Sequence, residues 1–125
     1  MPYSVTYDPE TDCILVSVEG EFSLSLFEGM AAEVARCSNE NDCRRILADL
    51  RNAILKESVA GIFAMPKNAI KKGIGRNVKR ALVVKGDFSE FWFLETVFLN
   101  QGNVVKLFNN IDDAMRWLFN GESGS

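Results

Sequence analysis

The 125-residue chain contains no histidine. Without an imidazole, mechanisms that depend on a histidine base are excluded, including Ser-His-Asp and Cys-His arrangements. Zinc sites built on histidine ligands are excluded for the same reason. No Gly-Lys-Ser/Thr phosphate loop is present either. We therefore predict neither a cofactor nor a metal site for this chain.

Cysteine is also scarce, with only Cys13, Cys37 and Cys43. An odd number of cysteines without a Cys-x-x-Cys pair indicates neither a disulfide framework nor a thiol redox motif. We interpret the three as reduced cysteines of a cytoplasmic protein. A reactive thiol at Cys43 remains an alternative, because Arg44 follows it and a neighbouring cation favours the thiolate.

Long hydrophobic runs are missing as well. The longest uninterrupted stretch of apolar residues and glycine is 59–65 (VAGIFAM), far short of the ~20 residues that a membrane-spanning helix needs. The first residues, MPYS, have neither the basic start nor the apolar segment of a secretion signal. These features favour a cytoplasmic location and no membrane span.

The hydrophobic pattern predicts one α/β domain in the order ββαβαβαβα, at residues 1–120, and a flexible tail at 121–125. Alternating and continuous apolar runs predict strands at 3–8, 13–19, 45–50, 80–84 and 104–108. Apolar stripes predict helices at 23–38, 57–65, 88–101 and 111–119. A short polar turn joins the first two strands into a hairpin. Strict alternation after the hairpin favours a five-stranded, mostly parallel sheet.

In parallel sheets, ligands and partners bind at the carboxyl ends of the strands. We expect four segments at this edge: 20–21, 49–51, 85–87 and 109–110. Because these strands run in the same direction, we also expect Asp49, Arg51 and Ser58 to lie in one neighbourhood.

The net charge of −3 conceals a strong asymmetry along the chain. Residues 1–43 carry nine acidic side chains and one basic one, whereas residues 44–85 carry eleven basic and two acidic ones. We predict a basic patch formed by Lys67, Lys71, Lys72, Arg76, Lys79 and Arg80. It is either a solvated rim or a surface for an acidic protein. Nucleic acid is a less favoured partner, because residues 64–87 offer no aromatic side chain for stacking.

The third predicted helix is unusually aromatic. No rotation of it buries every apolar group and exposes Glu95 together with the other charged residues. Either the helix is mostly core, or part of it meets a second copy of the chain or a small apolar ligand. The candidate residues for such a surface are Phe91, Trp92, Phe93 and Val97.

The chain resembles the STAS domain family, and within it the bacterial sporulation anti-sigma factor antagonists. The resemblance covers residues 3 to 118 and rests on the element order and on the segments 46–51 (ILADLR), 81–84 (ALVV), 100–108 (NQGNVVKLF) and 112–118 (DDAMRWL). It implies a SpoIIAA-like β-α superhelix without catalysis. It also implies a kinase-like anti-sigma factor as partner, with a switch by phosphorylation of a serine at the start of the second helix.

The matching segment reads Glu57-Ser58-Val59-Ala60, so Val59 occupies the position of the phosphate acceptor. Ser58 is the neighbouring hydroxyl, and it has two interpretations. It either caps the helix by accepting an amide hydrogen bond, or it is itself phosphorylated, with Arg51 or Lys56 as partners of the phosphate.

The leading hypothesis is a small non-enzymatic regulatory domain that binds a protein partner through Asp49, Arg51, Glu57 and Ser58. The alternative is a binder of a small apolar or anionic, lipid-like ligand that uses Phe91, Trp92 and the nearby basic groups. An enzyme is the third hypothesis, with Asp49, Glu57 or Cys43 as the reactive group.

Overall fold

The computed structural model describes the backbone of residues 2–124 and the side chains of residues 2–119. Five strands form one sheet: β1 (Tyr3–Asp8), β2 (Cys13–Phe22), β3 (Arg45–Leu55), β4 (Lys79–Val83) and β5 (Val104–Phe108). Four helices alternate with them: α1 (Leu24–Asn41), α2 (Val59–Lys72), α3 (Ser89–Asn100) and α4 (Ile111–Gly124). The predicted element order is confirmed.

The strands lie in the sheet in the order in which they occur along the chain. β1 pairs with β2 antiparallel, and every later neighbouring pair is parallel. The predicted hairpin and mostly parallel sheet are therefore confirmed. Each α crossover between parallel strands spans one step of the sheet, which places α1, α2 and α3 on the same face.

That face carries the main core. Alternate residues of β2, such as Ile14, Val16 and Val18, pack there against apolar side chains of α1, α2 and α3. The opposite face holds a smaller cluster in which α4 covers Leu47 and Val83. Among residues 2–124, no helix combines the length and the hydropathy required to cross a bilayer.

Two strands continue further than their local sequence predicts. Residues 20–22 still pair with residues 53–55, although Gly20 has a positive φ of 85° and was expected to end the strand. The ladder has an irregularity between Ser17 and Glu19, because Ser17 pairs with Asp49 but Glu19 pairs with Asn52. Two residues of β3 thus lie opposite one residue of β2, which is the geometry of a β-bulge.

Three helices also exceed their predicted ends, and the first of them, α1, continues from the predicted residue 38 to Asn41. α2 continues through Pro66 to Lys72, although an interior proline removes a hydrogen bond and costs about 3 kcal/mol. Burial of Met65, Pro66 and Ala69 in the fold offsets this cost. The backbone of α4 continues past Phe119 to Gly124. The division into a domain at 1–120 and a tail at 121–125 remains a prediction, and Ser125 lies outside the described residues.

Replacing Leu118 with alanine tests whether α4 is part of the folded unit. Leu118 is fully buried in the smaller cluster, so we expect Leu118→Ala to lower the free energy of unfolding by about 3 kcal/mol. Urea unfolding measures the loss. The control is Leu99→Ala, because Leu99 is exposed. Equal stability of the two variants would contradict the docking of α4 on the sheet.

Candidate functional site

Asp49 and Arg51 form a closed pair at the bulge of β3. The Asp49 carboxylate accepts hydrogen bonds from the Arg51 guanidinium through Nε and Nη2, both at 2.9 Å. It also accepts the Arg51 backbone N–H at 3.1 Å. The guanidinium hydrogen bonds lower the pKa of Asp49, and the carboxylate raises the pKa of Arg51. Asp49 thus supplies an acceptor for an amide at the bulge and is neutralised by its own neighbour.

The prediction that four segments meet at the carboxyl edge of the sheet is only partly correct. Asp49 and Arg51 lie inside β3, which continues four residues beyond Arg51. The segment 20–21 likewise lies inside β2. The other two segments do meet at the carboxyl end, where the Asn109 side-chain amide donates to the carbonyls of Val84 and Gly86.

Glu57 links the starts of two helices. One carboxylate oxygen accepts the backbone N–H of Leu24, the first residue of α1, at 2.6 Å. The other accepts the N–H and the hydroxyl of Ser58 at 3.1 and 3.3 Å. The amide of Leu24, followed by that of Ser58, lowers the pKa of Glu57. This link therefore stabilises the fold at neutral pH and is lost as the pH falls through the pKa of folded-state Glu57.

Ser58 caps α2. Its hydroxyl oxygen accepts the backbone N–H of Gly61 at 3.1 Å, and its backbone is extended, as at other helix N-caps. The capping interpretation of Ser58 agrees with this geometry. Because the same hydroxyl also lies against the Glu57 carboxylate, a phosphate on Ser58 would meet a like charge at this position.

The structure does not bring Asp49 and Arg51 into one site with Glu57 and Ser58. Asp49 pairs in register with Ser17 and Val83 and lies on the sheet face that α4 partly covers. Ser58 begins α2, which packs on the opposite face. Within residues 2–119, no hydrogen bond or ion pair connects Asp49 or Arg51 with Glu57 or Ser58. The expected common neighbourhood is wrong, because β3 is longer than predicted and its side chains alternate between faces.

The predicted aromatic surface is also divided. Phe91 and Val97 are buried in the main core, and Phe93 packs edge-on against Phe63 of α2 at a ring distance of 5.6 Å. Trp92 is 58% exposed. Of the four candidates, only Trp92 lies fully on the surface.

An exposed apolar face nevertheless exists, and sequence reasoning located only part of it. On α2, Val59 is 61% exposed and Phe63 is 49% exposed. We call these two residues together with Phe93 and Trp92 the α2–α3 face. The signal was present in the sequence, because Val59 and Phe63 are four residues apart on a helix whose other side is apolar as well.

Two glutamates of α3 accept hydrogen bonds from backbone N–H groups of the strands. Glu95 accepts the N–H of Leu107 in β5 at 3.0 Å, and Glu90 accepts the N–H of Leu55 in β3 at 2.8 Å. A backbone donor at the end strand of the sheet thus satisfies Glu95.

The predicted basic patch is not one surface. Lys67, Lys71, Lys72 and Arg76 are exposed, but Arg80 is only 7% exposed and lies in the interior. Lys79 is half-buried, with its ammonium group donating to the carbonyl of Trp117 at 2.8 Å. The alternation of side chains along β4 explains the correction, since Arg80 shares a face with Leu82 and Val84.

The cysteines give no support to a reactive thiol. Cys43 is buried, and burial raises the pKa of its thiol. The thiol contacts the Asp12 carbonyl at 3.4 Å. Among the described residues, no group of three His, Cys, Asp or Glu side chains is arranged to hold a metal ion.

Comparison with solved structures places this arrangement among known folds. An anti-sigma factor antagonist from Mycobacterium paratuberculosis superposes with a TM-score of 0.60 at 18% identity, over 93% of each chain. A Shewanella loihica protein of the DUF3478 family, described as having a SpoIIAA-like fold, gives 0.62 at 16% identity, also over 93% of each chain. The fold is SpoIIAA-like. No family model and no curated protein sequence matches the chain.

Substitution of Gly61 tests the Glu57 link within this SpoIIAA-like fold. A Cβ at Gly61 would overlap the Glu57 side chain, so we expect Gly61→Ala to displace the carboxylate from Leu24 and to destabilise the protein. In a Glu57→Ala background the overlap is gone. There, alanine should stabilise the helix by up to about 1 kcal/mol relative to glycine.

A double-mutant cycle by chemical denaturation measures this coupling. The account requires the effect of Gly61→Ala to change sign between the two backgrounds. An equal effect in both backgrounds would mean that Glu57 is not held where the structure places it.

Proposed function

We infer that the protein is a non-enzymatic regulatory domain that binds a protein partner through the α2–α3 face. The observation that carries this proposal is the exposure of Val59 and Phe63 one turn apart on α2, where Phe63 contacts the ring of Phe93, the neighbour in sequence of the exposed Trp92 of α3. Large apolar side chains left in water forfeit roughly 1.5–3 kcal/mol each. A group of them on one face is typical of an interaction surface.

The anti-sigma factor antagonist among the structural neighbours supports a partner of the anti-sigma type. An exposed tryptophan suits such binding, because interface energy concentrates in aromatic anchors that become buried in the complex. We propose that Trp92 and Phe63 are these anchors. Phe63 is held in place by its ring contact with Phe93.

In this proposal Ser58 acts as a helix cap and not as a phosphate acceptor. The hydroxyl is occupied by the Gly61 amide, and its neighbour is the Glu57 carboxylate. Of the two cations predicted to pair with a phosphate, Arg51 is held by Asp49, whereas Lys56 is exposed to solvent. We therefore propose that binding does not depend on phosphorylation of Ser58.

The proposal assigns no reaction to the candidate carboxylates. Asp49 and Glu57 each accept backbone N–H groups, and the hydrogen bonds they accept lower the pKa of each. A general acid or base working near neutral pH needs a pKa shifted towards 7.

A cytoplasmic location and a homodimer remain predictions, and the α2–α3 face is where we would expect a second copy to bind.

Binding measurements with surface variants test the proposal. We expect the purified protein to bind an anti-sigma factor encoded in the same genome, measured by biolayer interferometry. Phe63→Ala and Trp92→Ala should each weaken binding at least tenfold, since each removes a buried anchor. Ile111→Ala is the matched control, because it removes an exposed apolar side chain from α4 on the other face of the sheet.

The Arg51→Ala variant distinguishes binding through the α2–α3 face from binding through the surface predicted at Asp49 and Arg51. It leaves the α2–α3 face intact, so binding should stay within about twofold of the unmodified protein. Loss of binding in Arg51→Ala with full binding in Trp92→Ala would overturn the proposal, as would the failure of every anti-sigma factor to bind.

A further inference from the structure

β5 is an end strand of the sheet, so one of its two sides has no neighbouring strand. The carbonyl of Phe108 faces β4, where it accepts the N–H of Val84 at 2.8 Å. Because backbone groups alternate in direction along a strand, those of Val105 and Leu107 point away from β4. The sheet therefore ends in a row of N–H and C=O groups that could pair with another strand.

Glu95 of α3 occupies part of this row. Its carboxylate accepts the outward N–H of Leu107 at 3.0 Å, so the donor that a further strand would use is already bound. No side chain of residues 2–119 accepts the N–H of Val105, two residues earlier on the same edge. Strand addition at β5 must therefore displace Glu95 before it can form a complete ladder.

Lys106 opposes the pairing of β5 with its own copy in a second way. It is exposed at the middle of this five-residue strand. If two copies pair antiparallel about a two-fold axis at Lys106, Val105 lies opposite the partner's Leu107, and Lys106 lies opposite itself. Like charges directly opposite each other destabilise an antiparallel pair. Lys106 and Glu95 thus act against the same register.

The rest of the strand suits such pairing. In this register Val104, which is 37% exposed, lies opposite the partner's Phe108. Pairs of aromatic and β-branched residues stabilise neighbouring antiparallel strands. Leu99 lies one turn from Glu95 on α3 and is 48% exposed, so the same edge is bordered by a further apolar side chain.

We propose that β5 is a self-pairing edge that Glu95 and Lys106 keep closed. Glu95 occupies the N–H of Leu107, and Lys106 makes the symmetric pairing of two copies repulsive. The partner that this edge fits is a second copy of the same strand, since its residues complement one another once the two charged side chains are removed. The edge is separate from the α2–α3 face, and the inference does not rest on the proposed function.

Amide hydrogen exchange of the unmodified protein tests the contact with Glu95. The protein is kept dilute, so that association does not contribute, and each rate is corrected for its intrinsic value. We expect the amide of Leu107 to exchange at least about tenfold more slowly than that of Val105, because only Leu107 donates to a charged acceptor.

The double variant Glu95→Ala, Lys106→Thr opens the edge. We expect it to dimerise at least about tenfold more tightly than any self-association of the unmodified protein, because each copy regains a free donor and loses the opposed charge. Sedimentation velocity measures the association. The amides of Val105 and Leu107 should become protected from exchange as the concentration rises.

Two further variants keep Glu95 or its acceptor in place. Glu90→Ala with Lys106→Thr removes the same kind of contact from β3, which has neighbours on both sides. Glu95→Gln with Lys106→Thr keeps an oxygen that can accept the N–H of Leu107. Both should associate at least about tenfold more weakly than the opened variant. Glu95→Met, which keeps the side-chain length without the acceptor, replaces the alanine variant if that one does not fold.

Several results would overturn the proposal. One is a folded, opened variant that stays monomeric at about 1 mM, where even weak association is visible. Others are a dimer in which the amides of Val105 and Leu107 stay unprotected, and equally tight association of the Glu90→Ala control. Equal exchange of the two amides in the dilute unmodified protein would also overturn it. None of these variants changes the α2–α3 face, so such a failure would leave the proposed protein interaction standing.

Discussion

The Glu57 carboxylate lies between the first residue of α1 and the residue that caps α2, and it accepts hydrogen bonds from both. The first N–H groups of a helix have no partner inside the helix. By satisfying two such groups at once, Glu57 fixes where α1 and α2 begin relative to each other. α2 can then bury Ile62 and Met65 in the core while Val59 and Phe63 remain on the surface.

Carboxylates accept backbone N–H groups at other positions of the fold as well. Asp49 accepts an amide at the bulge of β3, Glu90 accepts one at the end of β3, and Glu95 accepts one in β5. Carboxylates that resemble reactive groups in the sequence therefore serve the backbone. The exposed surface at which we propose that a protein partner binds is apolar instead.

The sequence predicts the ends of an element correctly where turn residues mark them. The bounds of β1 and β5 agree with the prediction, because turn residues flank an alternating apolar pattern at both strands. The extra length of β2 and β3 depends on the pairing of residues 20–22 with residues 53–55, which neither strand reveals alone. Pro66 similarly ends a helix by local rules, yet α2 continues because its second half is buried.

The candidate site was predicted less well than the fold, for two physical reasons. A count of charges along the chain cannot distinguish Arg80 from Lys67, although period-two alternation in β4 already placed Arg80 beside Leu82. The link between Glu57 and Leu24 spans 33 residues. Such a contact follows from the tertiary arrangement of α1 and β3 and has no local signature.

An NMR pH titration tests the Glu57 link most directly. The side-chain carboxyl carbon of Glu57 and the backbone amide proton of Leu24 are followed together as the pH is lowered. The account predicts that both signals titrate with one midpoint, below the value of about 4.3 for an ordinary glutamate. A Leu24 amide that does not respond to the ionisation of Glu57, or a midpoint at or above the ordinary value, would contradict it.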